Sequence, residues 1–401
     1  MRKFRDIYEK IIVGVLFSSS TITSLTVILI IVFLFKEGIG LFNHAVVDDN
    51  HVIAISSQNP VKDLTADKLA KIFNQDYATW QELGGTKDSV KILTTSTLMS
   101  IYTEEQLGAN GENIPSKVNE YVKAHPGAIL FMSKSFLPAD FAGREIAVDK
   151  ISLKKFLTGT HWYPTSSPIP QFGIWAIIMG TLMVTLGAIL FAIPLGMATA
   201  IYLSEIASMR LRNIVKPIVE LLAGIPSVVY GFFGLIVVVP LIQKGFNLDV
   251  GETILAGSII LGIMALPTII TVAEDALRTT PRALKEASLA LGASEWQTLR
   301  KVVIPYAKSG ISTAIILGIG RAIGETMAVL MVTGNSSNIP TSFLQPARTI
   351  PATIAAELGE APYGGLHFKA LFALAVILFL FTIIINLTVE VIKNKARKQS
   401  A

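Results

Sequence analysis

Six stretches of this 401-residue chain are apolar over the roughly 20 residues that a helix needs to cross the hydrocarbon core of a bilayer, and no other feature restricts its fold so strongly. Residues 11–35, 174–203, 217–242, 254–273 and 370–389 carry at most one charge each, the one being Glu220. Residues 309–332 are long enough but hold Arg321 and Glu325. Charged residues make up only 16% of the chain and apolar ones 51%, where a soluble domain carries about 25% charged residues. Lipid is therefore the expected solvent for most of the chain. The first stretch follows a basic run (Arg2, Lys3, Arg5, Lys10), as a signal peptide would. It is longer than a signal's apolar region and shows no clear small-residue cleavage site, so it reads as a retained helix.

Charge placement sets the topology. A net charge of +5 alone could suit nucleic acid, but the basic residues cluster beside the apolar stretches, which speaks for membrane orientation. With the N-terminus in the cytoplasm, the inside segments 1–10, 204–216, 274–308 and 390–401 hold 17 Lys and Arg, against 6 in the short outside segments. That asymmetry is the positive-inside bias, and it needs six spans with both termini inside.

Residues 45–150 contain no span and carry 14 Asp and Glu against 10 Lys and Arg. Turn signals recur there (Asn59-Pro60, Gly84-Gly85, Asn110-Gly111, Pro126-Gly127). Residues 52–56 and 128–132 read as buried strands. Residues 65–73 read as a helix capped by Thr65, with Leu69 and Ile72 on its apolar face. The expected organisation is an N-terminal tail and first helix (1–44), a small α/β insertion outside the cytoplasm (45–150) and a core of five further helices (151–401). The fold class is an all-α polytopic membrane protein carrying that insertion. The absence of Cys excludes disulfides and thiolate chemistry.

The most informative segment is 274–308, on the expected cytoplasmic side. It holds Glu286-Ala287-Ser288, then Gly292, then Val302, Ile304 and Pro305. Ala283, Leu284, Ala287 and Leu291 recur at roughly helical spacing, small residues allow another surface to approach closely, and Gly292 can end the helix. The pattern resembles the EAA loop of ABC importer permeases, with Ser288 in place of the second Ala and Ile304 in place of a Leu. An ordinary amphipathic connector is the plainer alternative. Further stretches narrow the resemblance: Trp162-Tyr163-Pro164-Thr165, Gly180-Thr181-Leu182, Gly224-Ile225-Pro226-Ser227, Arg321-Ala322-Ile323-Gly324-Glu325-Thr326 and Thr333-Gly334-Asn335. Together they are similar to the larger, C-type permeases of phosphate-specific ABC importers, over the first helix and from about residue 152 to the end. The resemblance implies the type I importer permease fold, a second permease subunit, two cytoplasmic ATPase subunits and an external phosphate-binding protein. It also implies that Glu286, Ala287, Ser288, Gly292 and Pro305 form the ATPase coupling loop.

The insertion is similar, more weakly, to parts of a phosphate-binding protein (Asn59-Pro60-Val61, Trp80, Leu83-Gly84-Gly85, Pro126-Gly127-Ala128-Ile129). After the strand near residues 90–93, however, Thr94-Thr95-Ser96-Thr97 replaces the glycine-containing anion loop. A docking role and a weak anion site both stay open.

Arg321 and Glu325, four residues apart, would share a helix face. An unpaired charge in mid-membrane costs at least about 2.5–3.5 kcal/mol. Two readings result. Arg321 and Glu325 line the translocation pathway, the cation attracting an oxyanion and the carboxylate tempering it, or they form a self-neutralising clamp within the bundle. Glu220 reads as structural, with Lys216 as its partner. Pro194-Leu195-Gly196 and Gly224 to Pro226 read as helix breaks. No G-x-x-x-x-G-K-[ST] loop is present, so ATP hydrolysis falls to other subunits. Gly318-Ile319-Gly320 meets Ile323 where a dinucleotide fingerprint needs Gly. The five histidines (His44, His51, His125, His161, His367) show no metal-ligand spacing, so no metal, cofactor or catalytic residue is expected. The rival functions are a permease for sulfate or molybdate and, with less support, a secondary transporter, which would need coupling carboxylates and internal repeats.

Overall fold

A computed structural model of the chain describes residues 2–47, 50–62, 64–108, 110–148 and 150–399, with side chains for all of these except 2–9, 389 and 392–399. The chain divides into two compact units. One comprises Ile39–Gly173; the other comprises Met1–Gly38 with Ile174–Ala401.

The first of these units is built on a four-stranded sheet. Its strands are β1 (His51–Ser56), β2 (Lys91–Thr94), β3 (Ala128–Ser133) and β4 (Gly143–Glu145), in the order β2-β3-β1-β4. β1 runs antiparallel to both β3 and β4, while β2 and β3 are parallel. Residues Val52 to Ser56 are buried without alternation because both faces of the sheet are covered. Ile53 and Ile55 pack with Leu69, Ile72, Trp80 and Ile129 on one face. Ala54 packs with Leu93, Leu98, Val118, Val122 and Leu130 on the other. Helix Ala66–Phe73 begins where expected, Thr65 accepting a hydrogen bond from the Lys68 amide at 3.5 Å. The buried Trp80 indole donates to the Gly127 carbonyl at 2.8 Å, so its one polar atom is satisfied. At the end of β2, Thr94 Oγ1 accepts from the Thr97 amide at 3.2 Å.

Six helices among the described residues are long and apolar enough to cross a membrane; five lie in the other unit and most of the first helix does. They are Lys10–Asn43, Trp175–Ile206, Ser227–Phe246, Ile254–Arg278, Glu295–Gly324 and Leu366–Thr388. The fourth is the hub, packed chiefly against the second and fifth. Helices in lipid gain little from apolar burial against one another, so close packing of small residues has to hold them. Gly187 of the second span shows this: a Cβ there would lie 2.2 Å from Ser258 Oγ of the fourth. First and sixth spans meet through edge-on rings, Phe33 on Phe372 and Phe35 on Phe379.

Helix ends depart from the hydropathy reading in three places. The stretch 217–242 is not one helix, and the break falls where Gly224 to Pro226 is expected to put it: Met209–Gly224 stops, Ile225 and Pro226 take extended backbone, and the span restarts at Ser227. Proline disfavours a helical residue before it, which accounts for the break. The fifth span occupies Glu295–Gly324 rather than 309–332; Glu325 leaves the helix at φ −71°, ψ 133°, and a short helix resumes at Met327–Val332. The expected break at Pro194 is absent, since helix Trp175–Ile201 runs through it. Elsewhere the chain accommodates proline by widening a turn. A π turn at Leu299–Val303 ends two residues before Pro305, and another at Gly234–Val238 ends two residues before Pro240. Each absorbs the hydrogen bond that proline cannot donate.

Candidate functional site

The segment singled out at 274–308 forms helix Arg282–Ala290, none of whose residues is buried. Glu286, Ala287, Leu284 and Leu289 are exposed, and Leu291 is 89% exposed. Lys285 and Ser288, three residues apart and so on one face, turn inward instead. Lys285 Nζ donates to both Glu205 carboxylate oxygens at 2.8 Å, and Ser288 Oγ lies 2.9 Å from Thr298 Oγ1. A serine in place of the family's alanine thus has a structural use. Gly292 sits at φ +86°, a conformation costly for any residue with a Cβ. Its amide bonds to Leu289 O (2.9 Å) and the Ala293 amide to Ser288 O (3.2 Å). This pair of bonds is the Schellman closure of a helix C-terminus.

At the start of this segment, in the last turns of the fourth span, Glu274 is buried at 1% side-chain exposure. Arg212 pairs with it closely, Lys216 Nζ lies at 2.9 Å and Arg278 at 3.8 Å. Lys216 therefore does not partner Glu220, which is exposed; it is drawn to Glu274 and to Asp275 at 3.3 Å. Hydrogen bonding to Glu274 raises the Lys216 ammonium above the ordinary lysine value of 10.5. A raised lysine contributes fully below that value and ceases to do so only as pH climbs through the raised one. Lys216 therefore stays protonated across the neutral range.

Arg321 occupies the last turn of helix Ile304–Gly324, where the carbonyl end of the helix favours a cation. Its guanidinium donates to Thr268 Oγ1 on the fourth span at 3.2 Å. Among the described residues, no carboxylate lies within 4.0 Å of it. Glu325 is not on the same helix face, because the helix has ended by then. The ion pair expected from the i, i+4 spacing is absent. A third polar cluster centres on Glu357, the last residue of helix Ile350–Glu357: it accepts from Arg348 and lies 2.8 Å from His367 Nε2. Sequence reading missed this cluster and the Glu274 cluster, since their members come from separate elements and share no local spacing.

Six spans long and apolar enough to cross a bilayer define a polytopic membrane protein. Residues 192–398, just over half of the chain, match the family of binding-protein-dependent transport system inner membrane components, and the chain belongs to that family. It is 38% identical over 274 residues to the probable ABC transporter permease protein YqgH of Bacillus subtilis (strain 168), covering 67% of this chain and 88% of that one. It is 41% identical over 264 residues to the phosphate transport system permease protein PstC of Mesorhizobium japonicum, covering 61% of this chain and 79% of the relative. Among solved structures, an inward-facing MetNI methionine ABC transporter is similar over 56% of this chain and 94% of its own, at 23% identity and a TM-score of 0.44. The chain is accordingly a multi-pass inner-membrane transport component.

Proposed function

We propose that this chain is a permease subunit of an ATP-driven importer and carries inorganic phosphate across the cytoplasmic membrane. The observation that supports the substrate class is Arg321: a guanidinium among membrane helices, held by a neutral hydroxyl and free of a carboxylate within 4.0 Å among the described residues. A fixed cation of that kind attracts an oxyanion, and its planar fork suits bidentate contact with phosphate. The helix break at Glu325 fits as well, since non-helical backbone inside a membrane is tolerated where protein or a polar cavity surrounds it. Identity to phosphate transport permeases favours phosphate over sulfate or molybdate. Labelled phosphate uptake by cells expressing the transport system should be displaced by unlabelled phosphate and little affected by equimolar sulfate or molybdate. Displacement led by sulfate or molybdate would reassign the substrate.

The exposed face of helix Arg282–Ala290, with Glu286, Ala287 and Gly292, receives a cytoplasmic ATPase subunit in this scheme. A second permease subunit, a second ATPase and an external phosphate-binding protein complete the complex. The termini lie in the cytoplasm and residues 45–150 outside, as a receptor-like module without a phosphate site of its own. No native cysteine complicates a topology test. Ser116→Cys should react with an impermeant thiol reagent in intact cells, and Ser400→Cys only after permeabilisation. The reverse pattern would invert the orientation.

A further inference from the structure

Helix Arg282–Ala290 buries no residue, so apolar packing does little to fix it against the rest of its unit. Two polar ties do so instead. Ser288 reaches Thr298, ten residues along and close in the chain. Lys285 reaches Glu205, eighty residues away, with both carboxylate oxygens engaged at 2.8 Å. The two side chains are only 24% and 16% exposed, so this pair is shielded from water and less weakened by salt than a surface pair.

Glu205 lies in the π turn Tyr202–Ile206 that ends the second span. A carboxylate near the C-terminal end of a helix opposes the helix dipole, so the stability of the second span does not call for a glutamate there. What it does provide is a bond to the connector helix. The second span in turn packs along the fourth, which presents Thr268 to Arg321.

We propose that the Lys285–Glu205 pair is a tether that passes movement of the connector helix to the second span, with Lys285 and Glu205 acting as positioning residues for transport. This rests on the coupling role proposed above for the connector helix. An ATPase subunit docked on the exposed face would move the helix. The tether would oblige the end of the second span to move with it.

The test uses the full transport complex in membranes, with Glu205→Gln, Lys285→Gln and the swap Glu205→Lys/Lys285→Glu. Each single variant should lower phosphate uptake at least tenfold, while ATPase co-purification and basal ATP hydrolysis stay within twofold of native. ATP consumed per phosphate imported would then rise about tenfold. The swap, which remakes the pair with its signs exchanged, should bring uptake back to within threefold of native. Unchanged uptake in the single variants would overturn the proposal, as would a swap no better than they are. Loss of the ATPase from the single variants would also overturn it, since the pair would then only shape the docking surface. If no ATPase accompanies even the native chain, the proposed function itself falls, and the tether with it.

Discussion

Arg321→Gln should reduce phosphate uptake by roughly 10- to 150-fold, the equivalent of the 1.5–3 kcal/mol that a charge-assisted hydrogen bond contributes, while the protein still reaches the membrane and binds its ATPase. The glutamine keeps a donor for Thr268, so the hydroxyl that now accepts from Arg321 at 3.2 Å need not be stranded. What disappears is the charge. Because Glu325 stands outside the helix and makes no ion pair with Arg321, the single variant removes an attractor without exposing a former partner. A clamp would behave differently. If the two residues pair in another state of the cycle, Arg321→Gln would leave a buried carboxylate uncompensated, and membrane abundance would fall along with uptake. The double variant Arg321→Gln/Glu325→Gln separates the two cases. A pathway role leaves uptake lost in the double variant even where abundance is normal, whereas a clamp role restores both. Arg321→Lys should fall between native and Gln, since a point charge remains without the planar fork. Uptake by crude cells normalised to immunodetected protein is sufficient to distinguish these outcomes.

Gly292→Trp should abolish uptake, with the chain still inserted at near-native abundance. Gly292 holds φ +86° to close helix Arg282–Ala290, and a non-glycine residue meets backbone strain there. A Cβ would find no atom of this chain within 4 Å, so the side chain starts into open space. Its bulk projects beside Leu291, where the ATPase is proposed to dock. Glu286→Lys should have the same outcome through charge, because Glu286 is exposed and the substitution reverses the sign of the face proposed to dock. Both variants should lose ATPase on purification. Normal ATPase recovery together with normal uptake in both would remove this helix from the coupling site.

The features legible in the sequence were those set by local physics. Spans 11–35 and 254–273 are recovered because about 20 apolar residues admit only a helix in lipid. Thr65, Leu69 and Ile72 were legible because cap and apolar face lie within one helix. Gly292 was legible because a glycine four residues after Ser288 can close that helix. The break at Glu325 was harder to see. The break at Ile225 and Pro226 was legible from Gly224 and Pro226, whereas in residues 309–332 a hydropathy window averages over the extended Glu325 without registering it. That averaging produced the false Arg321–Glu325 pair, since i, i+4 geometry holds only while the helix continues. Lys216 was given the local partner Glu220, but the buried Glu274 attracts it more strongly, in surroundings where water screens less. Lys285 with Glu205 and Arg212 with Glu274 join positions 80 and 62 residues apart, and no spacing rule in one sequence links such pairs.

The central claim is ATP-driven import of phosphate through this chain, and reconstitution tests it most directly. The complex that co-purifies with the chain would be placed in proteoliposomes with its phosphate-binding protein on one side and ATP on the other, and accumulation of labelled phosphate measured. Phosphate should accumulate against its gradient only when ATP and binding protein are both present, and an imposed proton or sodium gradient should not replace ATP. Accumulation driven by such a gradient without ATP would contradict the assignment and make the chain a secondary transporter.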